Sequence, residues 1–344
     1  MTKKITIRRP DDFHLHLRDD TMMEFVVRHT ADCYQRAMIM PNLIKPVITT
    51  EEAIDYRERI LAGASDAYDF NPLMTLYLTP QTKPEEVVRA RESGLILAIK
   101  YYPAGATTNS AYGVTSINQC RDVIETMQSI GLPLSIHGEI SDESVDVFDR
   151  EKVFIDTILS KVVSDYPELK VVLEHLSTKE GVQFVEESNK YIAATITSHH
   201  LLLNRNDLLV GGLKPNFYCS PIVKTEEDRC AILTAAVSGN PKFFLGTDSA
   251  PHPITAKLSH NAAAGIYSAY QSFPIYTEIF DRAGHLEKLE GFASSFGAMF
   301  YGIPLNEPTI TLIKEEQTIP PILGIENIEL VPLKQGERVS WKKA

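Results

Sequence analysis

The segment DDFHLHLRDD at residues 11–20 sets His14, His16 and Arg18 at alternate positions. In an extended strand alternate side chains share a face, so all three are expected to point the same way. Two neutral imidazoles at that spacing can hold one metal ion, and an arginine beside them suits an anion kept close to it. More candidates end the apolar runs further on. MIMPN ends in Asn42, LAIK in Lys100, SIH in His137, VVLEH in His175 and TITSHH in His199 and His200. FFLGTD ends in Asp248, with His252 close behind. The imidazoles of His14, His16, His137 and His175 with the Asp248 carboxylate suit zinc or a similar borderline metal. They are too many for one open tetrahedral site. Two ions sharing one bridging ligand use them economically. Lys100 does not fit such a cluster as an ammonium, because two divalent cations repel it. Either its side chain points elsewhere or its amine has reacted. A carbamate formed with carbon dioxide would turn that cation into a bidentate anion able to bridge two metals.

These residues run from position 14 to position 252, so the elements between them must do the gathering. Strand candidates are Ala37–Met40, Leu73–Leu78, Leu95–Ile99, Leu132–Ile136, Val171–Leu173, Ile192–Ile196 and Phe243–Leu245, and the segment entering His14 makes eight. Helical stretches lie between most of them. Thr49 with Glu52, Ser116 with Gln119 and Ser177 with Glu180 have the spacing of capping boxes that start helices. Eightfold alternation predicts an α/β fold, a parallel (β/α)8 TIM barrel, whose C-terminal strand ends surround one mouth where catalytic groups collect. No repeat or linker divides residues 1–344, which read as one metal-dependent domain. From about Thr309 the chain is richer in proline and short strands (TITLI, IELVPL) and reads as a small C-terminal appendage.

Composition narrows the partners. A net charge of −11 disfavours non-specific nucleic-acid binding, so an anionic substrate must be drawn by local cations. The start MTKKITIRRP has no apolar core of a secretory signal, and no apolar run approaches the ~18 residues of a membrane span. Cys33, Cys120, Cys219 and Cys230 show no CxxC spacing and read as buried free thiols in a reducing, cytoplasmic setting.

The set DDFHLHLRD, MPNL, AIKYYPAGATTNS, SIHGE, EHLSTK, NRNDLLVGGLKP and LGTDSAPH closely resembles the dihydroorotase family, in its single-domain bacterial form within the amidohydrolase superfamily. The resemblance runs over essentially the whole chain. It implies a cytoplasmic enzyme of pyrimidine synthesis, usually a homodimer, that interconverts N-carbamoyl-L-aspartate and dihydroorotate. Carried over by residue, His14, His16 and Asp248 hold the more buried zinc ion, and His137 and His175 hold the second. Lys100, as N6-carboxylysine, bridges them together with a hydroxide. Asp248 is the proton shuttle. Arg18, Asn42 and His252 take the substrate carboxylate, and His16 adjoins the substrate. The loop from Pro103 to Asn109 is a lid whose Thr107 and Thr108 reach the substrate, and Ser220 and Ala264 add backbone contacts.

The segment PITAKLSHNAAAGIYSA lacks the cysteines often found there in the family, which bears on the Ala264 contact. Of His199 and His200, one is expected to support the site from behind and the other to be structural. His29, His260 and His285 are expected to face solvent. A mononuclear deaminase of the same superfamily would need a glutamate shuttle; Glu174 is expected to point away from His175, and KYYP argues against that alternative. A catalytically dead barrel serving as a scaffold should have lost ligands, and this chain keeps every inferred one.

Overall fold

The computed structural model describes residues 3–64 and 69–344. Eight parallel strands follow one another around a barrel: Asp11–Leu15, Arg36–Ile39, Asn71–Tyr77, Ile96–Tyr101, Leu134–Ile136, Val171–Leu173, Ile192–Ile196 and Phe243–Leu245. They match the eight expected runs to within a few residues. No ladder joins the eighth strand to the first. The seam is closed by backbone bonds from Asp248 N–H to the His14 carbonyl (2.8 Å) and from His16 N–H to the Ser249 carbonyl (3.0 Å). Three of the four residues that complete the ring, His14, His16 and Asp248, thus belong to the candidate chemistry itself.

Alternation decides what fills the barrel. Phe13, Met38, Met40, Ala98, Val172, Ala193 and Phe244 turn inward and pack with Ala298 and Tyr301 as one buried cluster. The next inward positions towards the mouth are Asn42, Lys100, Glu174 and Asp248, so the polar site stands on an apolar floor. Only glycine fits at Gly246, where an added Cβ would lie 2.8 Å from Thr195 Cβ and 3.0 Å from His14 Cβ. The outward residues of each strand join the larger core beneath the helices, including Ile99, Tyr101, Leu134 and Leu173.

Helix starts were only partly foreseeable. Thr49 and Glu52 do form a reciprocal capping box, at 3.2 and 3.3 Å. Ser116 makes no capping bond, and Ser177 gives its amide and hydroxyl to the buried carboxylate of Glu151. Thr178 caps that helix instead, accepting from Gly181 N–H. A buried carboxylate needing donors outcompetes a local cap.

Strand Thr309–Ile313 pairs antiparallel with Lys4–Arg8 on one side and with Lys342–Lys343 on the other. The small sheet beside the barrel therefore begins at the N-terminal end of the chain, which the apolar pattern after Thr309 did not reveal. Of the cysteines, three are buried as expected, but Cys230 is exposed.

Candidate active site

Three devices bring the side chains together at the barrel mouth. The first is a register shift between Asp12 and Leu15, which turns His14 inward although Phe13 already faces the interior. The second is plain alternation, which carries Ala98 to Lys100 and Ser135 to His137. The third is a left-handed backbone at the strand exits: φ is 65° at Arg18, 46° at His175 and 43° at Asp248. Non-glycine residues rarely adopt this conformation, and it costs of order 1–3 kcal/mol each where packing enforces it. The strand that holds His14 ends at Leu15, so Arg18 reaches the mouth through its turn and not by strand alternation.

The imidazoles meet in two pairs. His14 Nε2 lies 3.2 Å from His16 Nε2, and His137 Nδ1 lies 3.1 Å from His175 Nε2. The Asp248 carboxylate stands 3.3 Å from His14 and 3.0 Å from His16. All five are buried. Burial lowers the pKa of all four imidazoles, that of His16 to about 3, so they are neutral and offer lone pairs. Burial opposes ionisation of Asp248, yet the adjoining imidazoles of His14 and His16 hold its carboxyl well below the usual range.

Lys100 is fully buried beneath this group, not a solvated rim charge. Burial pushes its pKa well below that of an exposed amine. Its Nζ contacts the Glu174 carboxylate and lies 4.9 Å from the centre of the Tyr102 ring. Glu174 was expected to point away from His175; it points into the site. It shares the inward face with Val172, and it is His175 that breaks alternation through its positive φ, so both reach the centre.

Two carboxylates adjoin the imidazoles here, and neither was singled out for that role from the sequence. Glu174 is 3.3 Å from His14 Nδ1, and Glu139 is 3.1 Å from His137 Nε2. Glu139 hydrogen-bonds one ring nitrogen of His137 and leaves the other facing the cluster, the arrangement in which a carboxylate fixes the tautomer of a metal-binding histidine, whereas Glu174 lies beside His14 Nδ1 without a hydrogen bond. The signal was present in SIHGE and VVLEH as acidic residues flanking the histidines. Glu139 also accepts from the Ser220 hydroxyl at 3.0 Å.

A small cavity at the mouth is lined by His14, His16, Arg18, Asn42, Thr107, Thr108, His137, His175, Ser220, Asp248 and Ala264, together with Tyr102, Ala250 and Gly265. Its free space of about 20 Å³ holds about one water. The Pro103–Asn109 loop closes it. Asn42 Nδ2 donates to the Thr108 carbonyl (3.0 Å), Asn109 Nδ2 to the Asn42 carbonyl (3.0 Å), and the Thr108 hydroxyl to the Ala264 carbonyl (3.3 Å). Arg18 also faces an outer pocket of about 710 Å³, which His252 lines. Arg18 Nη2 lies 2.9 Å from His252 Nε2, and its Nε donates to the Pro251 carbonyl. Burial and the adjacent guanidinium push His252 down to about 3, so Arg18 carries the positive charge.

His199 and His200 lie fully inside the protein next to Cys219, apart from the group above. His260 and His285 are exposed as expected, but His29 is half-buried, with Nδ1 2.5 Å from the Tyr267 hydroxyl. Its helix packs against the segment after the eighth strand, a long-range contact with no local signal.

No family model matches the chain. It is 52% identical over its full length to the whole of a dihydroorotase from Nitrosococcus oceani. The chain belongs to the dihydroorotase family. Solved dihydroorotases share its fold closely. That of Campylobacter jejuni has a TM-score of 0.92 at 35% identity, covering 100% of this chain and 98% of that one. That of Saccharomyces cerevisiae, in complex with 5-fluoroorotic acid, has a TM-score of 0.92 at 32% identity, covering 99% and 98%. Dihydroorotases are amidohydrolases that act on a cyclic amide, and the chain carries that reaction on a TIM barrel.

Proposed function

We propose that the cluster holds two zinc ions and that the chain interconverts dihydroorotate and N-carbamoyl-L-aspartate in pyrimidine synthesis. His14, His16 and Asp248 hold one ion and His137 and His175 the other, with Lys100 bridging as N6-carboxylysine. The observation that carries the reading is the approach of four buried, neutral imidazoles in two pairs, nitrogen to nitrogen at 3.1–3.2 Å, with the ionised Asp248 carboxylate against the first pair. Such spacing is close to the roughly 3.3 Å between two nitrogen donors of one tetrahedral ion, and so suits shared coordination by each pair. The fully buried Lys100 supports the bridge, since a neutral amine is the form that adds carbon dioxide. When bound, the ions polarise the ring carbonyl and activate a water.

The residues of the chain do the rest. Arg18 pairs with the substrate carboxylate through its planar fork, with Asn42 and His252 beside it. Thr107 and Thr108 close over the ring and exclude bulk water. Asp248 takes a proton from the attacking water and returns it to the departing ring nitrogen. In the reverse direction ring closure condenses a carboxylate with the ureido nitrogen and consumes one proton. Lower pH therefore favours cyclisation, by about tenfold per unit.

Elemental analysis of chain purified without chelator should find at least two zinc-like ions, with turnover of dihydroorotate. One ion at full activity sinks the binuclear reading. Arg18→Met should keep its metal and lose about tenfold to a hundredfold or more in kcat/KM, the worth of a charge-assisted hydrogen bond. Loss of zinc with unchanged affinity for carboxylate inhibitors would make Arg18 a support for the metal instead. Glu139→Gln, which keeps size but not charge, should weaken binding of the second ion by about 10–100-fold. Metal-buffer titration checks this directly, and unchanged affinity removes Glu139 from that role.

A cytoplasmic homodimer completes the proposal. Four free thiols suit a reducing compartment, and among the described residues no helix is long and apolar enough to cross a membrane. Leu209, Val210 and Leu213 expose apolar side chains on one segment, a surface suited to a second copy.

A further inference from the structure

His199 and His200 belong to the short helix Ser198–Leu202 at the end of the seventh barrel strand, and Cys219 lies on the chain that returns past it. One ligand atom from each lies within 4.8 Å of the other two, and all three residues are buried. None belongs to the cluster assigned to the two ions above. Neither ring nitrogen of His199 has a hydrogen-bond partner, although the side chain has no exposure at all. An imidazole left so in a dry interior has lost its water and gained nothing in return.

Two neighbours of His199 meet at one backbone oxygen. His200 Nε2 lies 3.1 Å from the Pro221 carbonyl oxygen, and the Cys219 thiol donates to that same oxygen at 3.1 Å. The other nitrogen of His200, Nδ1, lies 2.9 Å from Thr197 Oγ1. A nitrogen, a sulfur and a carbonyl oxygen thus converge, with the unpaired imidazole of His199 beside them at a ring-centre separation of 4.7 Å from His200. Bonds of about 2.0 Å to nitrogen and about 2.3 Å to thiolate place neighbouring donors of a tetrahedron roughly 3.3–3.5 Å apart. The two contacts to the Pro221 oxygen, at 3.1 Å each, are close to that, and the donors of His199, His200 and Cys219 lie within 4.8 Å of one another.

We propose that His199, His200 and Cys219, with the Pro221 carbonyl oxygen as fourth donor, bind one further ion of zinc-like, borderline-to-soft character. The Cys219 thiol loses its proton to solvent on binding. The proton of His200 moves from Nε2 to Nδ1, where Thr197 Oγ1 accepts it and fixes the ring. No oxidation state changes. A sulfur donor separates this site from the binuclear donor set, which has only nitrogen and oxygen.

Cobalt(II) reads that difference. The full chain, exchanged into cobalt under anaerobic conditions, should show a thiolate-to-cobalt charge-transfer band in the near ultraviolet. The band should vanish in Cys219→Ser and persist in Cys230→Ser, whose thiol is exposed. His199→Gln, with its fold checked by circular dichroism, should need at least tenfold more free cobalt to reach half of the band. The absence of a band at saturating cobalt overturns the site, as does a band that survives Cys219→Ser. An unchanged midpoint in His199→Gln removes His199 as a ligand and overturns the site as proposed. Because the band does not depend on turnover, each of these results stands whether or not the binuclear reading holds.

Discussion

Asp248→Asn should lower hydrolysis of dihydroorotate by about 10²–10⁴-fold, the range over which a positioned acid–base group acts. The substitution is chosen for its backbone as well as its charge. Asp248 has φ of 43°, and asparagine is among the few residues that accept that conformation readily. The variant should therefore fold, and the loss should report the carboxylate. That carboxylate faces His14 and His16 at 3.0–3.3 Å and is held ionised between them. It is ready to accept a proton at any pH near neutrality, and it must be reprotonated by the reaction itself before it can serve a leaving nitrogen. Turnover measured in both directions, with zinc content determined on the same samples, separates chemistry from metal loss. Near-normal hydrolysis at full metal content would remove Asp248 as the shuttle.

Lys100→Ala should lose more than about a hundredfold in kcat/KM, because the bridging anion and the placement of both ions go with it. Acetate or propionate should restore part of the activity by filling the vacated space with a carboxylate. The side chain has no exposure, so the space it leaves is closed to bulk solvent but sized for a small acid. Glu174 also loses the amine it contacts. Stability of the metal-free protein should fall, since removing one partner of a buried pair leaves the other uncompensated. Undiminished activity in the alanine variant, or mass spectrometry that finds only free amine in active enzyme, would refute the carbamate.

The barrel was legible because eight short apolar runs, each closed by a polar residue, have few other solutions. The metal-ligand candidates were legible because those polar residues sit at strand ends. The backbone at those ends was not. Alternation alone put Glu174 on the wrong side, since nothing in VVLEH announces that His175 takes a positive φ. The register shift at Asp12 is silent for the same reason: it arises where Asp12 receives the amides of His14 and Thr247, the latter across the seam between the first and eighth strands and 235 residues away in sequence. Ser177 offered a good cap by its spacing and was claimed by Glu151, which is far away in sequence. Local signals determine which elements form. Long-range demand for hydrogen-bond donors decides where they begin and which way their last residue faces.

The pairing of Lys4–Arg8 with Thr309–Ile313 bears on how the chain is made. The first of these two strands is synthesised well before its partner, which lies about 300 residues downstream. At about 5–20 residues per second, its edge is bare for roughly 15–60 s on the ribosome, while all eight barrel strands emerge. An apolar strand waiting that long invites pairing with a neighbouring nascent chain. The segment KKITIRRP answers this in its own composition: only Ile5, Thr6 and Ile7 are free of charge or ring constraint, flanked by four basic residues and a proline. Like charges at both ends keep two such strands from different chains apart, until Lys3 and Lys314 converge on Asp281 and the sheet closes.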